Sequence, residues 1–405
     1  MESPATAANE NRSRLAALLP AGAVAVISTG PHALPCGVDS AEPWPDFHYL
    51  TSLREPGSFL VLTKERVILF LSPRDALWEG AQETGHGIGD VRPAAEFETV
   101  LRALARSAER VFVHAPENPF APSEDFSLAS LCRRLLPLHS LDRLAPLLGR
   151  LRAAKHPAEQ EAMRRAGALA ATAFRRAAGF VRAGVRGYEV KAEFLHEIMK
   201  QGSRGFSCPA ICAAGGETLT LHWRADRRPW TAGEVALLDF TVEWQGLCVD
   251  MARCIPVGGK FSPEQRQIYE AVARVLDLAT NLLRPGRLLS ECQAEVELAI
   301  QSELLRMGRL QSAEVRDPRQ PSPALRRYFM HRAYHHTGHE VHDPVPDDVP
   351  LAAGQVLAVE PAIYLPAAGF GIRLENTVLL TADGPAVLTD GFPISAGAVE
   401  DLLLL

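Results

Sequence analysis

Two stretches of this chain share a design that leaves few ways to fold. In each, an apolar strand-like run ends on a carboxylate, and a second run brings another carboxylate back alongside it. Glu234–Asp239 reads EVALLD, and Val249-Asp250 puts the next acid eleven residues after Asp239. A hairpin turn centred on Trp244 and Gln245, just ahead of Gly246, sets Asp239 directly opposite Asp250. Opposed side chains of an antiparallel pair have Cβ atoms about 4.5–5.5 Å apart, and like charges that close destabilise a sheet unless a cation lies between them. Gln355–Glu360 (QVLAVE) and Ile372–Glu375 (IRLE) repeat the arrangement. Here a turn centred on Ala367 and Ala368, followed by Gly369, sets Glu360 opposite Glu375.

Between the two hairpins lie His331, His335, His336, His339 and His342. One imidazole with four carboxylates is an oxygen-rich donor set suited to two divalent ions, whose charge the four acids balance. The string His339-Glu340-Val341-His342 is not a zincin motif. That motif needs two residues between the glutamate and the second histidine, on one helix face, whereas here there is one, and Gly338 interrupts any helix. Cys208 and Cys212 flank Pro209 without a second thiolate pair, which argues against a structural zinc site. Ser207 and Ser290 stand in no nucleophile context, and Trp223, beside His222, reads as packing or a pocket wall.

The wider composition narrows the class. A chain of 405 residues, 47% hydrophobic and 22% charged, has room for two or three globular domains. A net charge of −6 with no Lys/Arg-rich block speaks against nucleic-acid or anionic-membrane partners. Seven cysteines (Cys36, Cys132, Cys208, Cys212, Cys248, Cys254 and Cys292), an odd number with no C-x-x-C pair, read as reduced and mostly buried thiols. The first twenty residues lack a secretory pattern, and no run approaches the about 18–20 apolar residues of a membrane span, so a cytoplasmic location is expected.

The first third alternates short β-rich runs (Val24–Ile27, Phe59–Leu62, Val67–Phe70, Val111–Val113) with helical stretches such as Glu96–Ala108, an α/β pattern. Residues 148–157 read as a polar joint ending at Pro157, and the domain split falls near residue 150. After it, Ala166, Ala170, Phe174, Ala177 and Val181 predict one helix face ending at Gly184. Ser262, Pro263 and Gln265 form a helix-start signature, with Ile268, Val272, Val275, Ala279 and Leu282 as its core face.

The order Asp, eleven residues, Asp, then His, Glu, Glu resembles that of the pita-bread metallopeptidases, and within them the aminopeptidase P (Xaa-Pro aminopeptidase) group. Asp46-Phe47-His48-Tyr49-Leu50-Thr51 is similar to its amino-terminal signature, and Ala153-Ala154-Lys155-His156-Pro157-Ala158-Glu159 to its inter-domain segment. Leu238-Asp239 to Asp250-Met251-Ala252-Arg253, Phe329-Met330-His331 to Val341-His342-Asp343, Val359-Glu360-Pro361 to Tyr364, and Gly371-Ile372-Arg373-Leu374-Glu375-Asn376 resemble its catalytic motifs. The resemblance implies a two-domain α/β chain. Residues 1–150 would form a creatinase/aminopeptidase P-like α/β domain, and residues 151–405 a pita-bread catalytic domain, α+β with an antiparallel sheet and flanking helices.

It further implies metal ligands Asp239, Asp250, His335, Glu360 and Glu375, holding two divalent ions, manganese first and cobalt or zinc as alternatives. Glu360 would also carry the proton, His342 and His222 would face substrate, and Arg373 matches the family arginine two positions before the last ligand. The implied reaction removes a first residue from peptides with proline second, through a hydroxide bridging the metals. A homo-oligomer, dimer or tetramer, is also implied. Prolidase chemistry on dipeptides, and a non-catalytic pita-bread scaffold, are the alternatives. The chain departs from the family in carrying Thr241, where glycine is usual two after the first aspartate. It has Ala252 where threonine precedes the arginine, and Ala362 where glycine follows Glu-Pro.

Overall fold

The computed structural model describes residues 4–29, 45–54, 56–72, 87–115, 127–225 and 227–403, and Cys36 lies outside them. The chain forms two compact units, residues 1–152 with 156–159, and residues 153–155 with 160–405. The domain division we propose, 1–150 and 151–405, falls within a few residues of that exchange.

The first unit is built on a six-stranded mixed sheet. In chain order its strands are β1 (Val24–Ser28), β2 (Phe59–Leu62), β3 (Val67–Leu71), β4 (Asp90–Pro93), β5 (Val111–Val113) and β6 (Leu141–Arg143), and their spatial order is β4-β3-β2-β1-β5-β6. The central strands are apolar at nearly every position because helices cover both faces. Ala25, Ile27, Leu60, Leu62, Leu69 and Phe112 pack on one side with Leu15, Phe47, Leu50 and Leu148. Val24, Val26, Val61, Ile68, Phe70 and Val113 pack on the other with Phe97, Leu101, Leu128 and Cys132. Asp46, in the helix Pro45–Thr51, is a buried clamp: its carboxylate lies 2.8 Å from Arg152 and 2.8 Å from His114. Burial alone would raise that carboxyl, but Arg152 and then His114 overcome it and hold it well below the ordinary range. The expected polar joint is helical up to Ala153, since Leu148 and Leu151 of the helix Ala145–Ala153 are buried.

The second unit surrounds a single core with antiparallel sheets. β7 (Ile211–Ala214), β8 (Val235–Trp244) and β9 (Leu247–Pro256) form one. β10 (Tyr334–His336), β11 (Val356–Val359), β14 (Asn376–Thr381) and β15 (Gly384–Val387) form a second, and β12 (Ala362–Leu365) with β13 (Phe370–Arg373) a third.

The two hairpins differ in how they meet expectation. In the first, Asp239 pairs with Ala252 and Asp250 with Thr241, so the acids are not directly opposite. The turn is centred on Gln245 and Gly246, one residue later than expected, with both in the left-handed region (φ 53° and 84°). A two-residue hairpin of the I′ kind requires that conformation at both central positions, and glycine supplies the second at no steric penalty. A one-residue shift of the turn moves the partners by two, so both acids stay on one face as diagonal neighbours. In the second hairpin Ala362 pairs with Arg373, and the same register resumes beyond with Val359 opposite Asn376. Glu360 and Glu375 therefore face each other at the break between two ladder segments.

The helix Pro157–Ala178 stops earlier than expected, and Val181 is buried in the turn that follows it. The next clear helix, Pro263–Leu282, has the reciprocal cap between Ser262 and Gln265, while Leu283, just past its end, is buried more deeply than Leu282. Gly167 lies where the first of these helices meets the chain after β15, and a Cβ there would sit 2.0 Å from the Leu388 carbonyl oxygen. Alanine would gain about 1 kcal/mol of helix propensity, but the clash forces a backbone shift costing typically about 1–3 kcal/mol. Gly167→Ala should therefore lower the thermal midpoint by a few degrees, measured by calorimetry, and an unchanged or raised midpoint would contradict the packing.

Candidate metal centre

Backbone stitching between β9 and the segment 375–377 sets the site. The Thr377 hydroxyl accepts from Asp250 N and donates to Asp250 O, both at 2.8 Å, and Glu375 N donates to Ala252 O at 3.0 Å. The fully buried Arg253 donates to Ala252 O, Glu375 O and Asn376 Oδ1. Its charge is spread over carbonyl and amide oxygens, and burial pulls its pKa down to about 10. Asp250 and Glu375 are thus held side by side from two sheets. Glu360 N donates to Ala333 O at 2.8 Å, which sets Glu360 against β10, the strand that carries His335.

The side chains then converge. His335 Nε2 lies 3.9 Å from Asp250 Oδ2, 3.9 Å from Glu360 Oε1 and 3.8 Å from Glu375 Oε1. One ligand atom each from Asp250, His335 and Glu375 fall within 4.8 Å of one another. Asp239 completes the acid cluster and is bound by Arg373. Burial first, then the neighbouring acids, push Asp250 and Glu375 well above the ordinary carboxylate range, with Arg373 opposing. Glu360 is pushed up to about 8, again by burial first, with Arg373 lowering it and Asp239 raising it. Such a cluster is unfavourable unless protonated or neutralised by cations, and its donor chemistry fits hard or borderline divalent ions.

His335 suits the same role. Burial, then His342, lower its pKa to about 3, so the ring is neutral. Its Nδ1 lies 3.2 Å from the His336 carbonyl, which can only accept. The proton is therefore assigned to Nδ1, leaving the Nε2 lone pair facing the acids. His336 alternates to the other face of the strand and is buried away from the acids.

A second ring of groups surrounds the first. Arg373 joins Asp239 to the Tyr364 hydroxyl, 3.1 Å away, and His331 Nε2 lies 2.9 Å from the same hydroxyl. His331 Nδ1 is 3.8 Å from Glu360 Oε2. The sequence marks Tyr364 only faintly: it lies four after Glu360, paired with Gly371, where a Cβ would sit 2.4 Å from the tyrosine ring. The His342 ring stands edge-on to His335 with centroids 4.4 Å apart. His222 is exposed and lies near enough to contribute to the lowering of both His331 and His342.

The three departures have visible consequences. The Thr241 hydroxyl accepts from Ser207 N and Cys208 N, both at 3.0 Å, where glycine would leave those donors without this partner. Ala252 faces Asp239 across the hairpin, and Ala362 faces Arg373, so each presents a small side chain next to a site residue. Of the six described cysteines five are buried, and none is among the converging groups.

A mixed-sheet α/β unit followed by a pita-bread unit, with acids gathered on one imidazole, defines a two-domain metallopeptidase of the aminopeptidase P type. The model of metallopeptidase family M24 matches residues 161–382, and that of the aminopeptidase P N-terminal domain matches residues 8–113. The chain belongs to metallopeptidase family M24 and is an enzyme of the metallo-exopeptidase class. It is 29% identical to the Xaa-Pro aminopeptidase of Haemophilus influenzae, over 88% of this chain and 87% of that protein. It is also 29% identical to that of Escherichia coli, over 95% and 94%. Among solved structures, aminopeptidase PepP of Pseudomonas aeruginosa superposes with a TM-score of 0.87 at 27% identity, covering 100% of this chain and 98% of that one. Aminopeptidase P of E. coli with the inhibitor Pro-Leu gives 0.86 at 27%, covering 100% and 99%.

Proposed function

We propose that the chain hydrolyses the bond between an N-terminal residue and a penultimate proline, with two divalent ions held by Asp239, Asp250, His335, Glu360 and Glu375. The observation that carries this reading is the convergence of three buried or half-buried acids within 3.9 Å of a neutral imidazole nitrogen. Bound ions would supply the Lewis acidity that lowers the pKa of an attacking water toward neutrality.

The chain's own residues do the rest. Glu360, whose carboxylate is the least deeply shielded of the three near His335, accepts the proton from the attacking water and passes it to the leaving nitrogen. His342 and His222, both exposed, are the groups we assign to donate hydrogen bonds to the scissile carbonyl oxygen as charge develops there. Arg373 keeps Asp239 in place while Tyr364 braces the guanidinium. A prolyl nitrogen carries no N–H and sits in a ring, so recognition rests on shape and on the free amino end of the substrate. Manganese is the ion we assign first. We also assign a cytoplasmic location, in keeping with an odd cysteine count that has no C-x-x-C pair.

The test compares Xaa-Pro-Xaa peptides with Xaa-Pro dipeptides after chelation and re-addition of manganese. Rapid release of the first residue from the longer peptides is expected. Preference for the dipeptide would make the chain a prolidase, and no turnover with two bound equivalents of metal would refute the reading.

A further inference from the structure

Lys155 and Asp343 form an ion pair outside the acid cluster, 2.9 Å between Nζ and Oδ2, with side chains 1% and 0% exposed. Each partner is also anchored by its backbone. Lys155 N donates to Gly354 O at 2.8 Å, and Lys155 O accepts from Gln160 Nε2 at 2.9 Å. Asp343 N donates to His336 O at 2.9 Å, while its second oxygen accepts from Glu340 N at 2.9 Å. One carboxylate thus closes the loop 336–343 upon itself and ties it to the lysine. The lysine stem runs through space that only glycine leaves open: a Cβ on Gly338 would lie 2.5 Å from Lys155 Cε and 2.6 Å from Asp343 Oδ2. Gly338 O accepts from Cys248 N at 2.6 Å, which fixes the other side of the loop to β9, two residues before Asp250.

This loop carries His342, whose ring stands 4.4 Å from that of His335 and adjoins Asp343 in the chain. We propose that Lys155 is a positioning residue: through Asp343 it fixes where His342 presents its imidazole beside His335. The inference rests on the reading above, in which His342 contacts the substrate. Removing the ammonium leaves a carboxylate in a dry setting, which is strongly unfavourable. Asp343 must then take up a proton or turn outward, and either response loosens its hold on the loop.

The test uses Lys155→Met, Asp343→Asn and the double variant in the full, metal-loaded chain. Lys155→Met should lower kcat by between about 10- and 100-fold, with KM changed less than about threefold and the metal content equal to the parent's. The double variant removes the buried charge that has lost its ammonium, so its thermal midpoint should recover while kcat stays low, because the tether is still missing. A merely structural pair would let kcat recover together with stability, and that outcome would overturn the proposal, as would parental kcat in a folded Lys155→Met. Hydrogen exchange read by mass spectrometry over residues 336–343 separates the tether from the peptidase activity. If the parent cleaves no Xaa-Pro substrate, the proposed function fails, yet faster exchange in Lys155→Met still supports the tether. Unchanged exchange there sinks the positioning role whatever the activity.

Discussion

Glu360→Gln should lower kcat by about 10²–10⁴-fold, the contribution typical of a positioned proton carrier, and leave KM within a few-fold of the parent. The exchange keeps the side chain's shape, so packing against Ala333 and β10 is preserved. What disappears is the ability to hold a proton and one negative charge. In the metal-free fold Glu360 is pushed up to about 8 from an ordinary 4.5, chiefly by burial. Its ionised form is therefore disfavoured by the folded state, and removing the charge relieves the acid cluster. The metal-free variant should accordingly unfold at a temperature no lower than the parent's at pH 8, while the loaded variant loses almost all turnover. That combination separates a chemical role from a scaffolding one. Steady-state kinetics at matched metal content, together with calorimetry of the metal-free proteins, measures it. A kcat within tenfold of the parent at matched metal content would remove Glu360 from the proton path.

Much of this centre was legible because strands and hairpins obey simple geometry. Glu360 and Glu375 were set opposite by one turn, and the pairing of Ala362 with Arg373 and of Val359 with Asn376 keeps that register on both sides of them. Asp239 and Asp250 are offset from direct opposition by one residue of turn, because the sequence offers Gln245 no mark of its left-handed backbone. Both acids still share one face, since partners shift by two and side chains alternate with that same period. What stayed illegible was the stitching between sheets. Arg253 bonds Asn376 across 123 positions of sequence, and Lys155 meets Asp343 across 188. No local pattern announces such a partner. His331 was equally opaque, because only the fold brings Tyr364 to its ring. The helix that stops at Ala178 rather than Gly184 shows the same limit, for Val181 is buried by tertiary packing without being helical.

Metal removal should have the largest effect of all, and its dependence on pH carries the physical argument. Chelated protein should show no hydrolysis, with activity returning on addition of manganese. Its stability should also respond to pH in a definite sense. Asp250, Glu360 and Glu375 all have carboxyls raised in the fold, Glu360 to about 8 from 4.5. A raised acid binds more protons folded than unfolded, so its contribution to stability is full below the ordinary carboxylate range and is lost as pH climbs through the folded value. The histidines oppose this at lower pH. His331 and His336 are lowered to about 4, and His335 to about 3, from 6.5, so the unfolded chain binds their protons first and stability rises with pH up to about 6.5. Above 6.5 the unfolded imidazoles give up their remaining protons within about one pH unit, so the opposing contribution fades and the raised acids prevail increasingly. Between pH 6.5 and 8 the chelated protein should therefore lose stability steadily. Divalent ions bind the deprotonated acids, so loading removes that slope. At a hundredfold excess over the dissociation constant each ion adds about 2.7 kcal/mol, which for a unit of this size corresponds to roughly 5–10 °C in the midpoint. The gap between loaded and chelated midpoints, measured by calorimetry at pH 6.5, 7, 7.5 and 8, should widen at every step. A gap that stays constant or narrows would mean that the acids around His335 are not in competition between protons and metal.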